Sequence, residues 1–239
     1  MGAGIAKLLK GQTEAVGFGG LGVMPSPVGW IGTESGLPGE AETWSTGSSH
    51  HGDPNSPVWM PKAADTTLQT GDVWFYEPGQ GIRELSDLIN VYHQTVGRNA
   101  VLEMDFAIDR TGRVDPAHTA RYTELGNWIR GCYGEGKALA ETDGRGGSFS
   151  IALPTAAKVD RVVLREDQAQ GQRIRSYTVE AFVNGAWAPF SHGDGVGNRR
   201  VDLAAAGAVS ASALRLNISQ AIAEPVVMHF GAYAPCPSS

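Results

Sequence analysis

From residue 84 onward the apolar positions fall into regular patterns. Leu85, Leu88, Ile89, Tyr92 and Val96 recur at helical spacing and give one apolar face, and Gly97 follows as a stop. Ala100-Val101-Leu102-Glu103-Met104-Asp105-Phe106 reads as a short strand. Asp115-Pro116 marks a helix start, because Asp caps free backbone N–H groups and Pro suits the first helical position. His118, Tyr122, Leu125 and Ile129 continue that helix toward Gly131. The order strand, helix, strand, helix is that of a (β/α)8 barrel. From about residue 141 the pattern is all-β. Gly144-Arg145-Gly146-Gly147 reads as the linker into this part. Tyr177 to Val183 alternates, Asn184-Gly185 is a strong hairpin turn, and Ala186 to Phe190 returns. Leu214 to Ser219 and Val226 to Phe230 alternate as well, so the spacing predicts a β-sandwich. Residues 12–82, rich in Gly, Pro, Ser and Trp, are expected to be mostly loop with a few short strands. Long loops in a compact domain tend to carry function.

Composition narrows the classes. With 239 residues, 41% hydrophobic and 18% charged, the chain has room for one large domain or two ordinary ones. A net charge of −6 and the absence of any basic stripe argue against a nucleic-acid partner. No apolar run approaches the length of a transmembrane helix. Cys132 and Cys236 are too few for a disulfide framework; a bridge stays open, and two free thiols are the expectation. Asn217-Ile218-Ser219 is a glycosylation sequon in a predicted strand. The opening residues, interrupted by Lys7 and Lys10, do not read as a secretory signal.

The candidate chemistry lies in the loop-rich part. Trp30-Ile31-Gly32-Thr33-Glu34-Ser35-Gly36 sets a carboxylate between glycines. Aromatic stretches follow at Trp59-Met60-Pro61 and Trp74-Phe75-Tyr76. An acid among aromatic rings fits a sugar-cleaving site, where rings stack on a pyranose and the acid protonates the departing glycosidic oxygen.

These residues, in this order, resemble the C-terminal part of family 29 glycoside hydrolases, the α-L-fucosidases, over nearly the whole chain. Residues 30–36 look like the family's Trp-x-Gly-Asn-Glu-x-Gly motif, with Thr33 in place of Asn. Trp44-Ser45-Thr46, Ser56 to Asp65, Trp74-Phe75-Tyr76, Val96-Gly97-Arg98-Asn99 and Asp109-Arg110-Thr111-Gly112 match further steps. Lys62-Ala63 replaces an Ala-Glu pair, Glu103 to Ile108 replaces a more neutral run, and Glu77 stands where His is common. Asp160 to Glu166 and Gly171 to Ile174 resemble the discoidin-like (jelly-roll-like) sandwich that follows the barrel.

The resemblance implies an unassigned segment at 1–25, a partial barrel at 26–138 and a discoidin-like sandwich at 139–239. It implies a retaining exo-glycosidase, with Glu34 as general acid/base and its pKa lifted by apolar rings and a partner carboxylate. Trp59 and Trp74 are candidate sugar platforms, the alternative for each being a core or loop anchor. The implied substrates are fucosylated oligosaccharides or glycoproteins, and no metal or organic cofactor is implied. The family's nucleophile is an Asp on an earlier strand, yet the first Asp in this sequence is Asp53. A closed barrel needs about 250 residues, so the chain is expected to be a fragment without fucosidase activity of its own. The resemblance suggests a secreted or lysosomal setting. Two alternatives remain: an inactive carbohydrate- or protein-binding module built on the sandwich, and a two-chain enzyme.

Other residues have plainer readings. His50-His51 lacks a third ligand at regular spacing. Asp65 reads as a loop cap rather than a contact to sugar hydroxyls, Glu103 and Asp105, which share a strand face, as local substitutions rather than catalytic acids, and Arg98-Asn99 as ordering the entry to a strand. Gly17 to Gly22 lacks the Lys of a phosphate loop. Arg161, Arg165, Arg173 and Arg175 are expected on solvated faces and in ion pairs.

Overall fold

A computed structural model of the chain describes residues 28–236. The segment 1–25 and the glycines 17–22 lie outside the described residues. The first part holds three parallel strands: β1 (Gly29–Trp30), β2 (Lys62–Thr67) and β3 (Ala100–Asp105), in that order across the sheet. Helix α1 (Leu85–Gln94) connects β2 to β3, and α2 (Pro116–Tyr133) follows. Asp115 accepts from the Ala117 N–H at 2.8 Å and Pro116 takes the first helical position, as the sequence indicates. Both helices pack on one face of the sheet, around Leu68, Leu88 and Leu125 with Met104 and Tyr122 beside them. On the other face Val28 and Val101 stay exposed.

Helix α2 runs past Gly131, where the glycine pattern suggests an end. Its last turn has tertiary partners: Cys132 is bonded to Cys236, and Tyr133 lies under the Arg161 guanidinium at 4.8 Å. The two cysteines are therefore a disulfide, not two thiols. Arg161 is also not on a solvated face. It is 2% exposed and donates to the carbonyls of Cys132 and Ala234 as well as to Asp160.

Two four-stranded antiparallel sheets follow. One has the order β5 (Ser148–Val159), β10 (Val209–Ala221), β7 (Ile174–Val183), β8 (Ala186–Gly193). The other has the order β4 (Ala138–Arg145), β11 (Val226–Tyr233), β6 (Arg161–Glu166), β9 (Arg200–Leu203). Alternating residues of both sheets, among them Ile151, Val179 and Leu214 from one and Leu164 and Phe230 from the other, bury a single shared core. Asn184 and Gly185 both have positive φ, as the tight β7–β8 hairpin requires. Gly144 to Gly147 is no linker: Gly144 and Arg145 pair with β11, and Gly146-Gly147 turns the chain into β5. The glycine run cannot distinguish these cases, since both need the same backbone freedom.

Asn99 joins the two parts. It is buried with φ of 65°, and its amide donates to Thr43 O, Ser45 Oγ and Gln172 Oε1 while its Oδ1 accepts from the Asn198 N–H. Arg200 adds a second tie, donating to Glu42 in the first part and to Asp202 beside it.

Candidate active site

Parallel pairing brings the C-terminal ends of β1, β2 and β3 to one edge of the sheet. In βα architectures this is where catalytic side chains collect. The register sets Trp30 beside Ala63, Asp65 beside Glu103 and Thr67 beside Asp105. Because side chains alternate along a strand, the residues of each pair share a face.

After β1 the chain turns through Ile31, whose N–H continues the ladder to Ala63 O at 2.8 Å, and reaches Glu34. The flanking glycines have separate reasons. Gly32 has φ of 89°, and a Cβ there would lie 2.6 Å from His50 Nδ1. Gly36 has φ of 72°, and a Cβ there would lie 2.7 Å from Val91 Cγ1 on α1. Glycine at both positions lets the loop bend sharply and lie against the helix, with Glu34 exposed at its tip.

Glu34 lines two cavities. The first, 480 Å³, is bounded by Val28, Trp30, Glu34, Ala63, Asp65 and Glu103. It gathers three carboxylates and one indole, and the Trp30 Nε1–H donates to Asp65 Oδ1 at 2.6 Å. Asp65 is thus a strand residue that anchors a ring, not a loop cap. The second cavity, 630 Å³, has Thr66, Gln69, Asp72, Arg83 and Asp87 among its walls. Arg83 is fixed there by Asp87 Oδ2 and Thr66 Oγ1, each at 2.6 Å.

The two tryptophans singled out from the sequence sit elsewhere. Trp74 is half-buried and donates to Asp72 Oδ1 at 3.1 Å, so it reaches the second cavity through Asp72. Trp59 lines neither cavity of Glu34; it belongs to a third, between the first part and the sandwich. In the sequence Asp65 is open as a sugar contact and Glu103 as an acid on one face of a strand, with the plainer reading preferred for each, while Arg83 gives no signal. The register of β2 against β3 is what sets Asp65 and Glu103 side by side. His50 packs edge-on to Trp30 at 6.1 Å between ring centroids.

A parallel sheet with carboxylates and an indole at its C-terminal edge has the placement that site residues take in βα architectures. No family model matches the chain. It is 23% identical to alpha-L-fucosidase 1 of Arabidopsis thaliana, over 93% of this chain and 52% of that protein. A solved "putative alpha-L-fucosidase" of Bacteroides thetaiotaomicron VPI-5482 superposes with a TM-score of 0.82 at 32% identity, over 87% of this chain and 51% of that one. A Ruminococcus gnavus family 29 fucosidase, solved in complex with fucose, shares the fold with a TM-score of 0.74 at 23% identity, over 87% of this chain and 50% of that one. The chain is related to the α-L-fucosidases of glycoside hydrolase family 29. It spans about half the length of the curated relatives it matches.

Proposed function

We propose that this chain carries the acid/base side of a retaining exo-α-L-fucosidase site, with Glu34 as the acid/base. The observation that carries the reading is the position of Glu34. It stands at the C-terminal edge of a parallel sheet, held out by two left-handed glycines, and shares one cavity with Trp30, Asp65 and Glu103. In this reading Glu34 gives its proton to the departing glycosidic oxygen, then takes a proton from the water that releases the sugar. Trp30, its edge fixed by Asp65, forms the aromatic wall of the same cavity. Asp65 and Glu103 accept hydrogen bonds from sugar hydroxyls.

The three parallel strands with α1 and α2 are then a portion of a (β/α)8 barrel, and the two antiparallel sheets are its discoidin-like companion. Substrates are terminal α-linked fucose on oligosaccharides or glycoproteins. A retaining site needs a second carboxylate roughly 5–5.5 Å across the scissile bond. In the family this is an Asp ahead of the acid/base, and no Asp precedes Glu34 here. The reading assigns the nucleophile to residues outside this chain.

The test compares nitrophenyl-fucoside hydrolysis by this chain and by a form extended upstream, each with its Glu34→Gln counterpart. The expected result is activity in the extended form alone, abolished by Glu34→Gln. Release of nitrophenol by the chain as it stands would show that the nucleophile lies within it and overturn the split assignment.

A further inference from the structure

A cavity of 730 Å³ lies where the loop 46–59 meets the sandwich turn 168–172. Trp59, Asn55, Gln168, Gln170, Gln172 and Arg175 supply its chemistry. Its walls are fixed before any ligand arrives. The Ser45 N–H donates to Gln172 Oε1 at 3.1 Å, Gln168 Nε2 to Ser45 Oγ at 3.1 Å, and Arg175 Nη2 to Pro54 O at 2.6 Å. Arg175 also lies 4.8 Å over the Trp44 ring. A preformed hollow of a few hundred Å³ with a few convergent polar groups has the form of a small-ligand site.

The lining selects the kind of ligand. Among the described residues no carboxylate borders the cavity. Arg175 is its one charged group, and its Nη atoms donate to the carbonyls of Pro54, Gln172 and Ile174. Three of its five N–H groups are therefore held by backbone carbonyls. What remains is an indole and the side-chain amides of Asn55, Gln168, Gln170 and Gln172. Gln168 and Gln172 bond each other and Ser45, while Asn55 and Gln170 stand exposed with donors and an acceptor that suit vicinal hydroxyls, and the indole suits the C–H face of a pyranose. Gln172 is 3% exposed and its Oε1 accepts from three donors, so it holds the cavity wall in place.

We propose that this cavity is a second carbohydrate-binding site, for a neutral oligosaccharide, separate from the cavities of Glu34. The inference does not depend on the role of Glu34. The test uses the full chain with two probes, cellotetraose and 2′-fucosyllactose, at millimolar concentration. Saturation-transfer NMR detects binding and calorimetry measures affinity. At least one probe is expected to bind. Trp59→Ala is expected to weaken binding about tenfold. Asn55→Ala and Gln170→Ala, both at exposed positions, are expected to weaken it a few-fold with the thermal midpoint unchanged. Absence of transfer to either probe overturns the proposal. So does binding that survives all three cavity variants, which would place the sugar elsewhere on the chain.

Discussion

The Cys132–Cys236 bond is the strongest single constraint on the second half of the molecule. Its Cα atoms are 5.2 Å apart across a sequence separation of 104, and every strand from β4 to β11 lies inside the ring it closes. In the chain-entropy account, closing a loop of about 100 residues removes about 4.7 kcal/mol of unfolded-state freedom at 25 °C. Structure retained in the reduced unfolded chain lowers this, so the figure is an upper bound. At about 2–4 °C per kcal/mol for a domain of this size, the bound corresponds to a fall in the midpoint of at most roughly 9–19 °C when the bond is absent. Cys132 is 2% exposed, so mild reductant alone is a poor perturbation. The double variant Cys132→Ala with Cys236→Ala is the better one. Calorimetric melts of parent and variant, with non-reducing peptide mapping of the parent, measure the effect. A variant that melts within a degree or two of the parent refutes the entropic reasoning. Recovery of two free thiols from the folded parent refutes the bond itself.

Three further outcomes are expected. Arg161→Ala strands the carbonyls of Cys132 and Ala234 and opens space under Tyr133 and Tyr233, which should cost roughly 3 kcal/mol in urea unfolding; it ties the same two segments as the disulfide, so the two losses should not add. Asn99→Gly keeps the left-handed backbone but removes the bonds to Thr43, Ser45, Gln172 and Asn198, and should cost about 2–3 kcal/mol, with Asn99→Ala costing more because its Cβ resists φ of 65°; equal losses would show that the backbone contributes nothing. Burial, reinforced by the positive charges of Arg161 and Arg199, pushes the His93 imidazole down to about 4, below its ordinary 6.5. The folded state therefore binds the proton less readily than the unfolded one. The contribution of His93 is complete above about pH 6.5 and is lost as pH falls toward 4, by at most about 1.4 kcal/mol per pH unit; unfolding curves for parent and His93→Gln between neutral and acid pH should diverge in that window, and parallel curves would refute it.

The sequence by itself determined what depends on near neighbours. The helical spacing from Leu85, the Asp115-Pro116 start, the Asn184-Gly185 hairpin and the alternation of the later strands all appear where periodicity and turn chemistry place them. These signals are local because backbone hydrogen bonding and φ preference act over a few residues. The glycines around Glu34 were legible as a motif. Their cause was not, because it lies in His50 and Val91, which approach only in the fold.

The tertiary structure decided everything that turns on which distant segments meet. It paired two cysteines that spacing could not pair, and it buried Arg161 between tyrosines of a helix and a strand. It turned a supposed linker at Gly144 to Gly147 into a hairpin, because β11, some eighty residues on, supplies the pairing partner. It drew Asp65 and Glu103 to the cavity of Glu34 through strand register, and it set Trp59 in a different cavity with the sandwich turn. Charge and aromaticity along a chain show what a residue can do. Strand order and register decide what it does it to, because they fix which side chains share a face.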